Sequence, residues 1–297
     1  YNGASQEGIV RTQTTISNGV RMSTARCYLK PIEKRKNLRI ETGAHTQRVV
    51  IEGSKCTGIE YKSNGKLVRA KASKEVIICT GGVASPQLME LSGIGQPDLL
   101  KSHGIEVKHE LTGVGEHLRD HINAPIKFHM KRGDLSYNKR MQGLGPAWQV
   151  LRYVFQKRGF MSLPSAPMLA FLRTRDDMET PDVQMHIVPY AVKNYKKRLL
   201  HDFPGITMAV YQLRPESLGS IHIQSPLASE QPAINFNFLS DQIDRDAMLG
   251  GVKKIRQIMD TEAMKKVRGD EFLPGREVDS DDDILTYIRN TAETAYH

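Results

Sequence analysis

The stretch of sequence that decides the fold runs from residue 76 to residue 91 and reads VIICTGGVASPQLMEL. Its first three residues form a continuous apolar run, which predicts a strand buried on both faces, as in a parallel sheet. Gly81-Gly82 ends this strand, and Ser85-Pro86 predicts the start of a helix over residues 87–91. A strand, a glycine pair and a helix start are typical of the ligand-facing edge of a nucleotide-binding α/β domain, although an ordinary βα turn has the same pattern.

The sequence also predicts strands and helices on both sides of this stretch. On the N-terminal side, short β segments separated by turns predict a meander over 38–42, 48–51, 57–61, 67–70 and 75–79. On the C-terminal side, alternation and helical periodicity predict strands at 183–188, 206–213 and 220–224 and helices at 242–260 and 284–289. The longer helix has four apolar residues on one face: Met248, Val252, Ile255 and Met259. Ser280 is the predicted cap of the shorter helix. The predicted fold class is therefore mixed α/β.

The composition excludes the disordered and fibrous classes. The 297 residues are 39% hydrophobic, which suffices for one large or two ordinary domains. Lysine and arginine number 42 against 33 acidic residues, so the formal charge is +9 and a basic module that binds nucleic acid is an alternative. The basic residues come in short bursts and aromatic residues make up only 6%, which favours a solvated surface. Nucleic acid is therefore not a predicted partner.

The number of cysteines and the apolar runs indicate the cellular compartment, and the chain ends indicate whether the sequence is complete. Cys27, Cys56 and Cys79 are an odd number and imply no disulfide framework, so a reducing, cytoplasmic compartment is predicted. No apolar run approaches the roughly 20 residues that cross a bilayer, so no membrane span is predicted. The chain begins at Tyr1 rather than Met and stops directly after a helix-like run, which suggests that either end is a cut. The sequence leaves the oligomeric state open.

Histidines supply the candidates for catalysis. His117 and His121 are four residues apart, as in a zincin pair, but the glutamate that follows the first histidine of such a pair is missing. The neighbouring glycines at 113 and 115 indicate a loop, so no metal site is predicted. His186, in an alternating segment, and His297, at the end of the chain, are better placed. Histidine is the usual general base near neutral pH, so both are candidates.

Residues 81–95, which read GGVASPQLMELSGIG, resemble a family signature. A small-residue turn, Ser-Pro, two aliphatic residues and Ser-Gly-aliphatic-Gly are similar to the second signature of the glucose–methanol–choline (GMC) family of FAD-dependent alcohol oxidoreductases. Further segments resemble this family in the same order along the chain: 18–25, 111–121, 219–223 with 232–234, and 293–297. The resemblance covers essentially the whole chain.

The resemblance implies oxidation of a small-molecule alcohol. In this family a histidine takes the hydroxyl proton while a hydride passes to N5 of FAD, and His297 matches that histidine. His186 matches a family region near the substrate cavity. Four residues match positions that line the adenosine half of FAD: Thr46, through its backbone, Cys79, Thr80 and Gly81. The electron acceptor, a quinone, a dye or oxygen, is left open.

The resemblance also implies a domain organisation. Residues 1–121 are expected to form part of a Rossmann-like FAD-binding domain. Residues 122–297 are expected to form a substrate-binding cap with a mixed or antiparallel sheet flanked by helices. The GxGxxG unit that opens this FAD-binding domain is missing, as is the segment after the catalytic-histidine motif. The chain is therefore expected to be an internal fragment that alone neither holds FAD tightly nor turns over.

The substrate and two rival functions stay open at this point. Choline-oxidising relatives have a glutamate four residues before the Phe of a Phe-x-Arg segment, and here Pro167 stands at that distance before Phe171. This disfavours choline, although residues 293–297 are similar to choline dehydrogenases, and an apolar or unbranched primary alcohol fits as well. The rivals are a non-redox family member that acts as a lyase on cyanohydrins and a basic, non-catalytic binding module.

Overall fold

The computed structural model describes residues 3–194, 197 and 199–297, so Tyr1 lies outside the described residues. Its strands are, in chain order, β1 Gly8–Arg11, β2 Ile16–Ser17, β3 Val20–Arg21, β4 His45–Glu52, β5 Lys55–Ser63, β6 Lys66–Lys71, β7 Ile94–Gly95, β8 His109–Glu110, β9 Glu116–Leu118, β10 Ile122–Met130, β11 Met168–Leu172, β12 Val183–Val188, β13 Val192–Asn194, β14 Leu199–Leu200, β15 Gly205–Gln212, β16 Gly219–His222, β17 Ala233–Asn235, β18 Arg268–Leu273 and β19 Glu293–Thr294.

The helices are α1 Gly81–Leu91, α2 Pro97–Ser102, α3 Gly145–Gln156, α4 Gln242–Met259, α5 Glu262–Lys265 and α6 Asp281–Thr291. Single helical turns occupy Ala25–Leu29, Lys30–Ile32, Gly133–Leu135, Lys139–Met141 and Phe160–Ser162. The elements form two compact units. One consists of residues 1–31, 120–216 and 241–297, and the other of residues 32–119 and 217–240. We call them the large-sheet unit and the small-sheet unit.

The large-sheet unit is built on one antiparallel sheet. Its strand order is β1-β11-β12-β15-β10-β18, and β19 pairs with the start of β10. Side chains such as Ile126, Phe128 and Met185 are fully buried in this sheet. Helix α4 packs against β15. A Cβ on Gly251 would lie only 2.5 Å from Val210, so glycine is needed for this close approach.

Local sequence signals confirm several predictions in this unit. The strand predicted at 183–188 is β12, and the strand predicted at 206–213 is β15, shifted by one residue. The long helix is α4, with all four predicted apolar residues buried. Ser280 caps α6 because its Oγ accepts a hydrogen bond from the backbone N–H of Asp283 at 3.2 Å. Three aspartates in the first turn, 281–283, complement the positive end of the helix dipole.

The small-sheet unit contains three short sheets. β4-β5-β6 is the predicted antiparallel meander, β17-β16-β9 is antiparallel, and β7 pairs in parallel with β8. Ser92, at the end of α1, joins the helix to the meander. Its Oγ accepts from the N–H of Val49 at 2.8 Å and donates to the carbonyl of Leu88 at 2.6 Å. Polar side chains therefore fix α1 onto β4.

Two strand predictions in the small-sheet unit were wrong. Residues 75–79 form no strand, and Ile77 is 74% exposed, although its apolar run predicted burial. A strand buried on both faces needs a paired strand on each side, and none of the described strands pairs with this segment. Residues 38–42 likewise have no strand partner.

Helix α1 also differs from its prediction, because it begins at Gly81 rather than after Ser85-Pro86. Thr80 is the residue before its first turn, and Pro86 lies inside the helix. The first four N–H groups of a helix have no partner within it, so Pro86 costs a single backbone hydrogen bond near this end. The helix therefore accommodates the proline that sequence reasoning placed at its start.

The structure confirms the predicted mixed α/β class. The predicted boundary between residues 121 and 122 stays a prediction, since the two units described above are each discontinuous in sequence.

Among the described helices, none has both the length and the apolar character that crossing a bilayer requires. Cys27, Cys56 and Cys79 are all free thiols and all exposed.

Candidate functional site

The last residues of the chain are held against the start of β10 in the large-sheet unit. Strand β19 pairs with it in the register Ile122↔Thr294. Beyond that pair, the N–H of Ala295 donates to the carbonyl of His121 at 2.7 Å, and the N–H of His121 donates to the carbonyl of His297 at 3.2 Å. The hydroxyl of Thr294 donates to the carboxylate of Asp120. These bonds position His297 although it ends the chain.

The tautomer of His297 follows from its hydrogen bond. Its Nδ1 lies 3.0 Å from the carbonyl oxygen of Ala295. A carbonyl oxygen only accepts, so the proton of the neutral ring is on Nδ1 and the lone pair is on Nε2. The side chain is exposed. Its Nε2 is therefore able to accept a proton from a bound molecule.

His297 is one of four aromatic side chains that lie together, and we call them the ring cluster: His121, His186, Tyr211 and His297. The ring of His297 lies 4.8 Å from that of His121 and 6.0 Å from that of Tyr211, measured between centroids. His121 and Tyr211 are 5.3 Å apart, and the Tyr211 hydroxyl shares a 2.8 Å hydrogen bond with Nε2 of His186. The structure thus brings the two predicted histidines into one cluster.

His121 has one ring nitrogen paired and one unpaired. Its Nε2 lies 3.2 Å from the carbonyl of Leu213, so Nε2 carries the proton and donates. Its Nδ1 is buried and has no hydrogen-bond partner among the described residues. The ring of His121 lies near those of Tyr211 and His297, and both of its backbone polar groups bond to the segment that carries His297. His121 therefore fixes the position of His297.

Burial sets the protonation states of two cluster members. Burial, and after it the charge of His297, lowers the pKa of His186 below its usual value. Burial raises the pKa of the Tyr211 hydroxyl. His186 is therefore neutral and Tyr211 protonated near neutral pH, so the two can hold a hydrogen bond without bringing a charge into the site.

A pocket of about 700 Å³ opens beside the ring cluster in the large-sheet unit. His186 and Ala209 line it from the sheet, and Ala295 and Tyr296 line it from the segment before His297. The other described lining residues are mostly apolar, and Glu293 is the acidic residue among them. A mainly apolar pocket with few polar groups is the usual form of a small-molecule site.

The residues predicted to line a nucleotide lie in the small-sheet unit. Thr46 is in β4, opposite Tyr61 of β5. Cys79 and Thr80 are exposed, and Thr80 Oγ1 lies 3.0 Å from the hydroxyl of Ser85.

Gly81 makes the start of α1 accessible. It has a φ of +85°, and nothing lies within 4 Å of where its Cβ would be. The first N–H groups of α1 have no partner within the helix, so this end is suited to phosphate or ribose oxygens. The open backbone around Gly81 therefore fits the nucleotide half of a dinucleotide cofactor.

The segment that contains His117 and His121 is not helical, but His117 lies in a short strand rather than in the predicted loop. His117 is in the short strand β9 with a positive φ of 60°, so the two histidines do not share a helix face. Within the described ranges, no three or more His, Cys, Asp or Glu side chains are placed to hold a metal ion.

Sequence reasoning missed Tyr211 and the positioning contacts of His121. Tyr211 lies in a strand that is buried along almost its whole length, so no alternation marks it. Its partner His186 is 25 residues away in sequence. The pairing of β12 with β15, with Gln184 opposite Tyr211, is the structural feature that brings the two side chains together.

Comparison with known proteins gives matches along the whole chain. Family models described as GMC oxidoreductase match residues 1–123 and residues 215–297. The chain is 33% identical over 297 residues to an oxygen-dependent choline dehydrogenase of Photobacterium profundum and covers 52% of it. It is 36% identical over 303 residues to an oxygen-dependent choline dehydrogenase of Staphylococcus aureus and again covers 52%. The chain thus spans about half the length of the curated relatives it matches.

Solved structures share the fold. A variant of the formate oxidase of Aspergillus oryzae matches with a TM-score of 0.86 at 22% identity, over 98% of this chain and 55% of that one. Pyridoxine 4-oxidase from Mesorbium loti matches with a TM-score of 0.83 at 20% identity, over 99% of this chain and 53% of that one. At these identities the likeness concerns the fold alone. Taken with the two family models and the relatives, the matches show that this chain belongs to the GMC oxidoreductase family.

Proposed function

We propose that the protein oxidises a small alcohol to an aldehyde or ketone, with FAD as its cofactor and His297 as the base. The observation that carries this proposal is the state of the His297 ring. Its Nδ1–H is held by the carbonyl of Ala295, so the Nε2 lone pair is available. The pocket of about 700 Å³ next to the cluster offers space for the alcohol.

The protein's own contribution is removal of one proton. When the alcohol is oxidised, its hydroxyl proton goes to Nε2 of His297 and its C–O bond becomes C=O. FAD, when bound, supplies the acceptor for the hydrogen that leaves carbon with both bonding electrons. Two hydrogens and two electrons thus leave the alcohol, which balances the reaction.

The rest of the ring cluster positions this base. His121 contacts the His297 ring and bonds to the backbone on either side of it. His186 lines the pocket and is kept neutral by burial, so it can share a hydrogen bond with a substrate hydroxyl without competing as a charged acid. We assign His186 to substrate positioning and His297 to proton transfer.

The small-sheet unit would hold the nucleotide half of FAD. Thr46, Cys79, Thr80 and Gly81 are the residues we assign to it. The open space at the Gly81 Cβ position and the exposed start of α1 fit this role, since backbone N–H groups can approach the cofactor there. We keep residues 1–121 as the FAD-binding part and residues 122–297 as the substrate-binding part of this proposal.

The substrate is best tested with choline and with unbranched primary alcohols side by side. Relatives named choline dehydrogenases favour choline. Against it, Pro167 replaces the glutamate expected before Phe171, but Glu293 places another carboxylate in the pocket lining. If choline is the substrate, Glu293→Gln raises KM for choline and leaves KM for neutral alcohols unchanged. Peroxide formation distinguishes oxygen from a quinone or dye as the electron acceptor.

The free, exposed thiols of Cys27, Cys56 and Cys79 support a reducing compartment, and we propose the cytoplasm. The net charge of +9 does not by itself require a nucleic-acid partner, because the family is one of oxidoreductases.

The decisive experiment is anaerobic reduction of the flavin by an alcohol in an FAD-loaded holoenzyme that contains this chain, since the chain alone is not expected to hold FAD tightly. His297→Gln removes the base, and we expect flavin reduction to slow by about 10²–10⁴-fold, the usual contribution of a general base. The matched control is His109→Gln, at an exposed histidine in β8 of the small-sheet unit, which should leave the rate unchanged.

Unchanged reduction in His297→Gln would overturn the assignment of the base. Cleavage of a cyanohydrin with no flavin reduction by any alcohol would overturn the oxidation itself in favour of the lyase. Binding of DNA that weakens with salt, with no flavin bound, would favour the basic module instead.

A further inference from the structure

Helix α3 turns its apolar side chains outward. Trp148 is 64% exposed and Phe155 is 79% exposed, and Leu151 lies between them on the same face. Leu144, at the residue before the helix, continues this stripe at helical spacing and is 86% exposed. A soluble helix normally buries such a stripe against its own core. We call these four residues the α3 face.

The inward side of α3 is polar. Gln149 is the helix residue that is buried, and its Oε1 accepts a hydrogen bond from the N–H of Phe160 at 3.3 Å. In α4 of the same unit the arrangement is the usual one, with Met248, Val252 and Ile255 buried against the sheet. The orientation of α3 is therefore inverted, because its one buried side chain is polar while the apolar residues of the stripe stay outside.

The sequence around α3 is strongly cationic. Residues 135–172 contain five basic residues and neither Asp nor Glu: Lys139, Arg140, Arg152, Lys157 and Arg158. The chain as a whole has 33 acidic residues, so a stretch of this length without one is unusual for it. In sequence, this exposed apolar stripe is flanked by cations without an acidic residue, which is the pattern of a helix that lies in a membrane interface.

A pocket of about 310 Å³ beside α3 is lined by three of these arginines, Arg140, Arg152 and Arg158. Arg152 and Arg158 form no ion pair with any described residue. Arg140 contacts the carbonyl of Asp134 and the ring of Tyr137, and its charge also acts on the Asp134 carboxylate. Guanidinium groups are suited to bidentate binding of phosphate. This pocket offers an anionic headgroup a place next to the α3 face.

We propose that the α3 face docks onto the surface of an anionic lipid bilayer. Its apolar residues enter the interface, and the arginines of the neighbouring pocket bind lipid phosphates. The charge favours this partner over a second copy of the chain. Two copies meeting through α3 would bring like positive charges together, whereas anionic lipids neutralise them. The proposal concerns surface binding, is independent of the redox reaction, and requires no helix that spans the membrane.

Trp148 reports this binding directly, because it is the single tryptophan of the chain. We expect its fluorescence to shift to the blue when the protein is mixed with vesicles of phosphatidylcholine and phosphatidylglycerol, and the protein to co-sediment with them. Pure phosphatidylcholine vesicles should give much weaker binding. Raising the salt concentration should weaken the binding, since screening reduces the lipid–arginine attraction. Trp148→Phe should keep co-sedimentation and abolish the shift.

Two variants separate the apolar from the charged contribution. Leu151→Ser with Phe155→Ser should lower partitioning into anionic vesicles by tenfold or more, on the order expected for two apolar side chains that leave the interface. Arg140→Gln, Arg152→Gln and Arg158→Gln combined should lower it by roughly 100-fold, at about fivefold for each cation near the surface.

The matched control removes the same charge elsewhere. Lys55→Gln, Lys62→Gln and Lys66→Gln combined neutralise three exposed lysines in the β5–β6 hairpin, and binding should stay within about twofold of the parent. If both triple variants lost the same affinity for anionic vesicles, net charge alone would explain the binding and the proposal would be overturned.

Two further results would also overturn it. One is the absence of any blue shift and of co-sedimentation with anionic vesicles at low salt. The other is a blue shift without lipid that grows with protein concentration while light scattering shows a doubled mass, which would assign the α3 face to a second copy. Thermal unfolding of the variants near that of the parent protein shows that each is folded.

Discussion

Two histidines, one in each unit, have opposite surroundings. In the large-sheet unit His186 is buried beside the Tyr211 hydroxyl, and burial lowers its pKa. In the small-sheet unit the Nδ1 of His222 lies 2.7 Å from Glu90 and its Nε2 lies 3.1 Å from Glu116. Burial works against charge on His222, but the hydrogen bonds and charges of the two carboxylates raise its pKa above the usual value.

The difference separates a structural histidine from the one that we propose positions the substrate. Both ring nitrogens of His222 face carboxylate oxygens, so the charged ring can donate on both sides and joins α1 to β9 and β16. The ring cluster offers no such carboxylate pair to His186, which stays neutral. A neutral imidazole suits a site that must receive a proton, while an imidazolium suits a fixed crosslink.

The largest loss of stability is expected when the buried carboxylate that pairs with His222 is removed. Glu90 is fully buried, and its second carboxylate oxygen accepts from the N–H of Ile223 at 2.8 Å. Glu90→Ala leaves Nδ1 of His222 and the backbone N–H of Ile223 without partners in a buried place, so we expect the free energy of unfolding to fall by about 3–5 kcal/mol. Urea denaturation followed by circular dichroism measures it.

Glu116→Gln is the matched control, because it removes the exposed carboxylate from the same histidine. An exposed pair contributes little, so the loss should be less than about 1 kcal/mol. Equal losses for the two variants would contradict the view that burial makes Glu90 the dominant partner.

The next effect is an opposite pH dependence of stability at the two histidines. The raised pKa of His222 means that its contribution is fully present below the unfolded pKa and is lost as pH rises through the folded pKa. The lowered pKa of His186 has the reverse sign. At pH values above the pKa of the unfolded state, neutral His186 contributes its full stabilisation to the fold. This contribution is lost as the pH falls through the pKa of His186 in the folded state.

Unfolding free energies of the parent protein, His222→Gln and His186→Gln between pH 5 and pH 9 test these signs. The stability lost in His222→Gln should be largest at the acid end, and the stability lost in His186→Gln should be largest at the alkaline end. Two difference curves with the same slope would remove the contrast between the histidines.

The smallest effect is expected from Tyr211→Phe. It keeps the ring but removes the hydroxyl that is 2.8 Å from His186, so unfolding should become easier by about 1 kcal/mol. Tyr190→Phe, at a pocket residue in the same unit, is the control, and no hydroxyl bond of Tyr190 is among the described contacts. A larger loss for Tyr190→Phe would show that the hydroxyl of Tyr211 is not the member of the cluster that matters for stability.

Sequence reasoning succeeded where the signal is local. The spacing of Met248, Val252 and Ile255 predicts the buried face of α4, and Ser280 predicts the start of α6. The order of the motifs indicated the GMC family, and His297 and His186 were both candidates before the structure placed them in one cluster.

It failed where burial depends on distant partners. The apolar run at 76–78 predicted a buried strand, but burial requires neighbouring strands, and none of the described strands pairs with it. The contacts of His222 with Glu90 and of His186 with Tyr211 join residues 132 and 25 positions apart, which no local pattern encodes. Helix α3 shows the same limit, because periodicity reveals an apolar stripe but not whether that stripe faces inward or outward.

The most direct test of the account is nitrogen-15 NMR of the histidine side chains in the folded protein as pH is varied, with assignments made from single His→Gln variants. We expect His186 to remain neutral to a pH below the ordinary histidine pKa and His222 to remain doubly protonated above it. We expect neutral His297 to carry its proton on Nδ1. A charged His186 at neutral pH, or a His297 ring protonated on Nε2 alone, would contradict the claim that this cluster is built to accept a proton.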